Sequence, residues 1–184
     1  MEKANNSHNK ILWITRTGVL IAMLVTVQWA TASTQAFAGQ YITGSLVNCV
    51  LALAALFGGL WCGLTVALLS PFCAYLLGIG PALIQIVPCI SLGNCVLVVT
   101  LWAMGKNWKL WKAALGVVLA AAAKFLTLYL AVVKVLIPLM GDALKAPQVQ
   151  KFTAMFSLPQ FFTALIGGAL ALALSPVIRK AIQK

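Results

Sequence analysis

The sequence predicts an all-α membrane protein, a bundle of six transmembrane helices with N and C termini in the cytoplasm. Three observations predict it: an apolar composition, apolar runs near the length of a bilayer span, and basic residues that segregate to alternate connections. Of the 184 residues, 62% are hydrophobic and 8% charged, against about 25% charged in a soluble domain. So few charges cannot cover a globule with a water-compatible surface, which excludes soluble enzymes, disordered chains and nucleic-acid binders. The net charge of +11 does not restore nucleic acid as a partner, because the charges sit between apolar runs and build no polar face.

A spanning helix needs about 20 residues, so six with short loops use up the chain, leaving residues 1–184 as a single integral membrane domain. The apolar runs are 11–35, 44–60, 62–78, 83–104, 113–137 and 156–178. Only Phe57-Gly58-Gly59-Leu60-Trp61-Cys62-Gly63 separates the second from the third; the glycines and the excessive length of an unbroken helix place a tight turn there. Nothing alternates with period two over ten-residue segments, which excludes a β-barrel.

Basic residues orient the bundle. Lys3, Lys10 and Arg16, then Lys106, Lys109 and Lys112, then Arg179, Lys180 and Lys184 share one side of a six-helix arrangement, nine against Lys145 and Lys151 on the other. An odd number of helices would destroy this segregation. The basic-aromatic loop Lys106–Lys112 reads as an interface anchor. Lys3 and Lys10 with Ala36-Phe37-Ala38 imitate a signal peptide and its cleavage site, but Arg16 interrupts the apolar region, so a retained first helix is the expectation.

Several chemistries lack their residues. Cys49, Cys62, Cys73, Cys89 and Cys95 form no CxxC pair, and the single His8 lies in the tail; no metal site and no cofactor are expected, and the thiols read as small apolar residues. The acidic residues are Glu2 and Asp142 alone, both outside the apolar runs. Ion-coupled carriers place carboxylates or histidine within the membrane, ATP binding needs a phosphate loop, and hydrolysis needs a nucleophile with its base. The chain is therefore not an enzyme, and uphill transport would draw its energy from a partner.

In the first helix Gly18, Ala22 and Thr26 recur at four-residue intervals and make a smooth stripe suited to close helix contact. Gly59 with Gly63, and Ala164 with Gly168, repeat the spacing and read as contacts inside the bundle. The segment Arg16-Thr17-Gly18-Val19-Leu20-Ile21-Ala22, the polar Ala38-Gly39-Gln40-Tyr41-Ile42-Thr43-Gly44, Ile90-Ser91-Leu92-Gly93-Asn94 and Phe156-Ser157-Leu158-Pro159-Gln160 together resemble the S components of energy-coupling factor (ECF) transporters. The resemblance covers most of the chain in layout and rests on weakly specific motifs; the stripe here is Gly-xxx-Ala where the family pattern is Ala-xxx-Ala. It implies a substrate-capture subunit of an ATP-driven vitamin importer, in a bacterial or archaeal plasma membrane. It also implies docking of the first helix onto a transmembrane coupling subunit driven by two ATPase subunits.

The resemblance also implies a pocket toward the outer face. In that frame the polar candidates are Gln40, Tyr41 and Asn48 near the first outer connection, Gln85 and Asn94 on the fourth helix, Tyr129 on the fifth and Gln160 opening the sixth. For each amide, hydrogen bonding between helices is the competing role. Phe125 and Tyr129 either stack on a ring of the solute or serve aromatic packing in the bundle. Lys124, following Ala120-Ala121-Ala122-Ala123, lies about eleven residues into its helix, near mid-membrane. A charged lysine there costs about 2.5–3.5 kcal/mol, and no acid is at hand to pair with it. It is neutral, rests on carbonyls and water, or binds an anionic solute group; the last favours a solute with a carboxylate or phosphate. Lys134 is close enough to the helix end to snorkel.

The competing function is a self-sufficient facilitator or channel, which needs a continuous polar path. A membrane scaffold without a solute is a third reading, and Lys124 with the polar outer segment argues against it.

Overall fold

The computed structural model describes residues 2–32, 37–79, 83–104 and 110–182. Ala36, Lys106, Asn107, Trp108, Lys109 and Lys184 lie outside them. All regular structure among the described residues is helical: α1 (Glu2–Thr31), α2 (Phe37–Leu53), α3 (Gly59–Leu76), α4 (Ile86–Met104), α5 (Leu110–Leu128), α6 (Ile137–Met140), α7 (Ala146–Met155) and α8 (Leu158–Ile182). π-Helical turns at Ala54–Gly58 and Tyr129–Leu136 carry α2 into α3 and α5 into α6.

Five helical stretches among the described residues are long and apolar enough to cross a membrane: Lys10–Thr31, Gly39–Leu76, Ile86–Met104, Trp111–Met140 and Ala146–Ala181. The second, at 38 residues, would extend about 57 Å if straight, nearly twice the roughly 30 Å hydrocarbon layer. It is not straight. Gly59 has φ 82° and ψ 176°, a region open essentially to glycine alone. Gln40 and Asn48 before the break line the same cavity as Ser70 and Ala74 after it, so the chain doubles back at Gly58–Gly59.

Helix α7 falls where the sequence reading had only a connection. Pro147 occupies its first turn, where a missing N–H costs nothing, and Gln148 Oε1 accepts the Lys145 backbone N–H at 3.0 Å. Phe152 of α7 is buried with Phe156, Ile86, Leu128 and Val132, forming an apolar cluster at the α7 end. The larger cluster, with Leu24, Leu51, Cys62, Val66, Leu97, Val98, Ala120, Ala121 and Ala164, fills the bundle toward Gly58.

Glycines set the closest helix crossings. A Cβ on Gly167 would lie 2.5 Å from the Ser45 carbonyl oxygen and 2.6 Å from Asn48 Cβ, so α8 rests directly on the α2 backbone. A Cβ on Gly93 would lie 2.7 Å from Leu128 Cγ, which brings α4 against α5. Gly63 meets Val98, and Gly168 meets Val117, in the same way. Gly18, by contrast, has nothing within 4 Å of a built Cβ. Gly18, Ala22 and Thr26 are all exposed, on a helix that buries little of itself. All five cysteines are free thiols; Cys49 and Cys62 are buried, and Cys62 Sγ accepts a hydrogen bond from Thr17 Oγ1 at 3.3 Å. No cluster of metal-ligating side chains occurs among the described residues.

Candidate functional site

A cavity of about 220 Å³ opens between α1, α2, α3, α4, α5 and the turn from α7 into α8. That is smaller than the ~300–1,000 Å³ of pockets that enclose drug-sized ligands. Its floor is polar. Lys124, only 3% exposed, places Nζ 2.6 Å from Asn48 Oδ1 and 2.7 Å from Asn94 Oδ1. Such short contacts match charge-assisted N–H···O bonds.

The crossings described above build this cradle. Gly167 seats α8 on α2 beside Asn48, and Gly93, next to Asn94, lets α4 approach α5 one turn from Lys124. The run Ala120–Ala123 keeps the helix slim along the lysine stem, with Ala120 and Ala121 fully buried. Asn48 Nδ2 donates to Thr163 Oγ1 at 3.4 Å, and Thr163 Oγ1 donates to the Gln160 carbonyl at 3.2 Å. An ammonium has three N–H donors; two meet asparagine oxygens, and the lysine lines the cavity. Glu2 and Asp142, the two acids of the chain, belong to the first turn of α1 and the turn after α6, so α2, α3, α4, α5 and α8 carry no carboxylate.

The opposite end of the cavity is built on one carbonyl. Gln40 Nε2 and Gln160 Nε2 both donate to Met155 O, at 2.9 and 3.1 Å, which ties the starts of α2 and α8 to the end of α7. Met155, Phe156, Ile79, Ile90 and Pro71 supply apolar wall.

Of the residues expected from sequence, Lys124, Gln40, Asn48, Asn94 and Gln160 come together on this cavity, whereas Tyr41, Gln85 and Tyr129 do not line it. Gln85 is exposed, and its carbonyl accepts from Cys89 Sγ at 3.8 Å. Tyr129 packs on Phe125 with ring centroids 5.9 Å apart and lies under Lys134 Nζ at 5.6 Å, so its ring serves helix packing and a cation–π contact. Ser91 is buried and donates to the Leu68 carbonyl at 3.1 Å, which joins α4 to α3.

The sequence reading missed Gln28, Ser70 and the Met155 carbonyl. Gln28 lines the cavity, and its Oε1 is buried without a hydrogen-bond partner among the described residues. An amide well inside the apolar 11–35 run was the available signal. Met155 acts through its backbone, which no side-chain pattern reveals.

No curated protein and no solved structure matches the chain. A family model does, over residues 13–179, described as the ECF transporter substrate-specific component. That match takes in every helix that lines the cavity, and on it the chain belongs to the family of ECF transporter substrate-specific components.

Proposed function

We propose that this chain captures a small solute carrying a carboxylate or phosphate, which enters from the outer side and binds in the Lys124 cavity. Family membership already makes it a subunit of a transporter, not an enzyme, and a multi-pass protein of the prokaryotic plasma membrane that works with a solute and an energy-coupling module. The observation that carries the proposal is the buried Lys124 Nζ, held by two amide oxygens and, among the described residues, by no carboxylate. A cation so placed retains a donor and an unneutralised charge for an anion.

The accompanying topology is six crossings, with the Gly39–Leu76 stretch counted as two on account of the Gly59 break. Both termini are then cytoplasmic by the nine-to-two distribution of basic residues, and the cavity faces outward. The exposed Gly18, Ala22 and Thr26 face of α1 is the surface we assign to the transmembrane coupling subunit, with two ATPase subunits supplying the energy. A self-sufficient channel fits poorly: beyond Asn48 and Asn94 the interior is closed by the fully buried Leu51, Leu97, Val98 and Ala121.

The test is a thermal-shift and calorimetric screen of the purified protein against anionic vitamins and vitamin precursors. Saturable binding that Lys124→Met weakens supports the reading. Binding of uncharged solutes alone, or wild-type affinity in Lys124→Met, overturns it.

A further inference from the structure

We propose that the cavity is polarised along its length and selects a solute with two distinct ends: an anionic group at Lys124 and an N–H or O–H donor facing the amide oxygens of Gln40 and Gln160. This deepens the reading of Lys124 as an anion anchor and rests on it.

The polarity follows from hydrogen-bond chemistry. A carbonyl oxygen only accepts, so the two glutamines that converge on Met155 O must turn their NH2 groups toward it. That fixes an amide orientation that is otherwise ambiguous. Each Oε1 then points away from Met155 O, on a side chain that lines the cavity. Neither oxygen receives a hydrogen bond from the described residues, and neither is among the buried unpartnered atoms, so both stay within reach of an incoming group. Gln28 adds a third acceptor to the same cavity, its Oε1 buried and unpartnered among the described residues; a turn of its amide would offer that oxygen to the solute.

The donor end of the cavity is thus Lys124 and the acceptor end is Gln40 and Gln160; Gln28 lies between the two, three residues before Thr31, whose Oγ1 accepts from Thr43 of α2 at 2.7 Å. Gln160 lies one helical turn, about 5 Å, from Thr163, which bonds Asn48 of the lysine cradle. The walls between are apolar, with Phe156, Met155, Ile90 and Pro71. The matching class is a compact apolar or aromatic body with an anionic group at one end and an amine, hydroxyl or ureido N–H at the other. Unpaired cavity acceptors discriminate against solutes without the donor, because a buried acceptor left without a partner costs more than a made hydrogen bond gains.

Two pairs of probes test this by calorimetry on the full-length protein: 4-aminobenzoate against benzoate, and biotin against biotin methylated on its ureido nitrogens. In each pair the anion is shared and the donor is not. The expected result is that at least one donor-bearing probe binds the wild type about tenfold or more tightly than its partner. Gln160→Met and Gln28→Met should each shrink that ratio. Lys124→Met should weaken both members alike. Gln28 makes no side-chain hydrogen bond to the described residues, so Gln28→Met should melt no lower than the wild type, which keeps one variant interpretable if Gln160→Met loses the Met155 tie. Equal binding within both pairs, or a ratio unchanged in Gln28→Met and Gln160→Met, overturns the polarised cavity while leaving the anion anchor standing. Absence of binding by all four probes at millimolar concentration, or binding indifferent to Lys124→Met, overturns the anchor and the polarised cavity with it.

Discussion

Replacing Lys124 by methionine removes the cation and keeps most of the stem volume. Asn48 Oδ1 and Asn94 Oδ1, bonded at 2.6 and 2.7 Å in the wild type, lose their donor, at about 1–3 kcal/mol each. Against this, a charge no longer has to be held inside the membrane, a relief of about 2.5–3.5 kcal/mol. The two effects nearly offset, leaving a central expectation of about 1 kcal/mol of destabilisation. Asn94→Leu is different: it strips one partner from an ammonium that remains buried, with the loss of a charged hydrogen bond of about 1.5–3 kcal/mol and nothing returned. Lys124→Met should therefore melt above Asn94→Leu, although it removes the more conspicuous side chain. Solute affinity should follow another order, since Lys124→Met deletes the contact to the anion itself, about 1.5–3 kcal/mol or roughly ten- to a hundredfold in Kd. Thermal melts in detergent give the first comparison and calorimetric titration with an anionic solute the second. A Lys124→Met protein that melts well below Asn94→Leu would refute the charged cradle, and unchanged affinity would remove Lys124 from the binding site.

The other expectations concern the backbone and the partner. Gly167→Ala places a methyl 2.5 Å from the Ser45 carbonyl oxygen, where no flexible side chain can yield; a loss of about 1–3 kcal/mol and weakened solute binding through displaced Asn48 should appear in the same two assays, whereas Gly18→Ala, with open space around it, should leave both unchanged. Gly59→Ala meets no neighbour but forces φ 82° on an L side chain, a strain of about 1–3 kcal/mol that thermal melts will register. Ala22→Leu should leave solute affinity intact and abolish co-purification with the coupling subunit; intact co-purification would dismiss the α1 face as the docking surface. In sealed liposomes the protein alone should fail to accumulate solute against its gradient.

What the sequence determined by itself is the class of molecule. Apolar runs near 20 residues and a near absence of acids follow from composition alone, and the bilayer leaves such runs only helical solutions because every backbone polar group must be paired within them. The break at Gly58-Gly59 was legible for a related reason, since an uninterrupted helix of that length does not fit the hydrocarbon layer. The site was legible only in part. Lys124, Asn48 and Asn94 stand out as polar residues in apolar surroundings, yet nothing in their spacing says that they meet: Asn48 is 76 residues from Lys124 and Asn94 is 30. Tyr129 and Gln85 looked equally eligible and lie elsewhere, because a helix can turn any side to its neighbours. Only the tertiary structure decided those rotations, through close approaches such as Gly167 on the α2 backbone and Gly93 on Leu128. The short helix α7, and the Met155 carbonyl that orients two glutamines, arise from the same packing, and a backbone oxygen leaves no trace in the order of side chains.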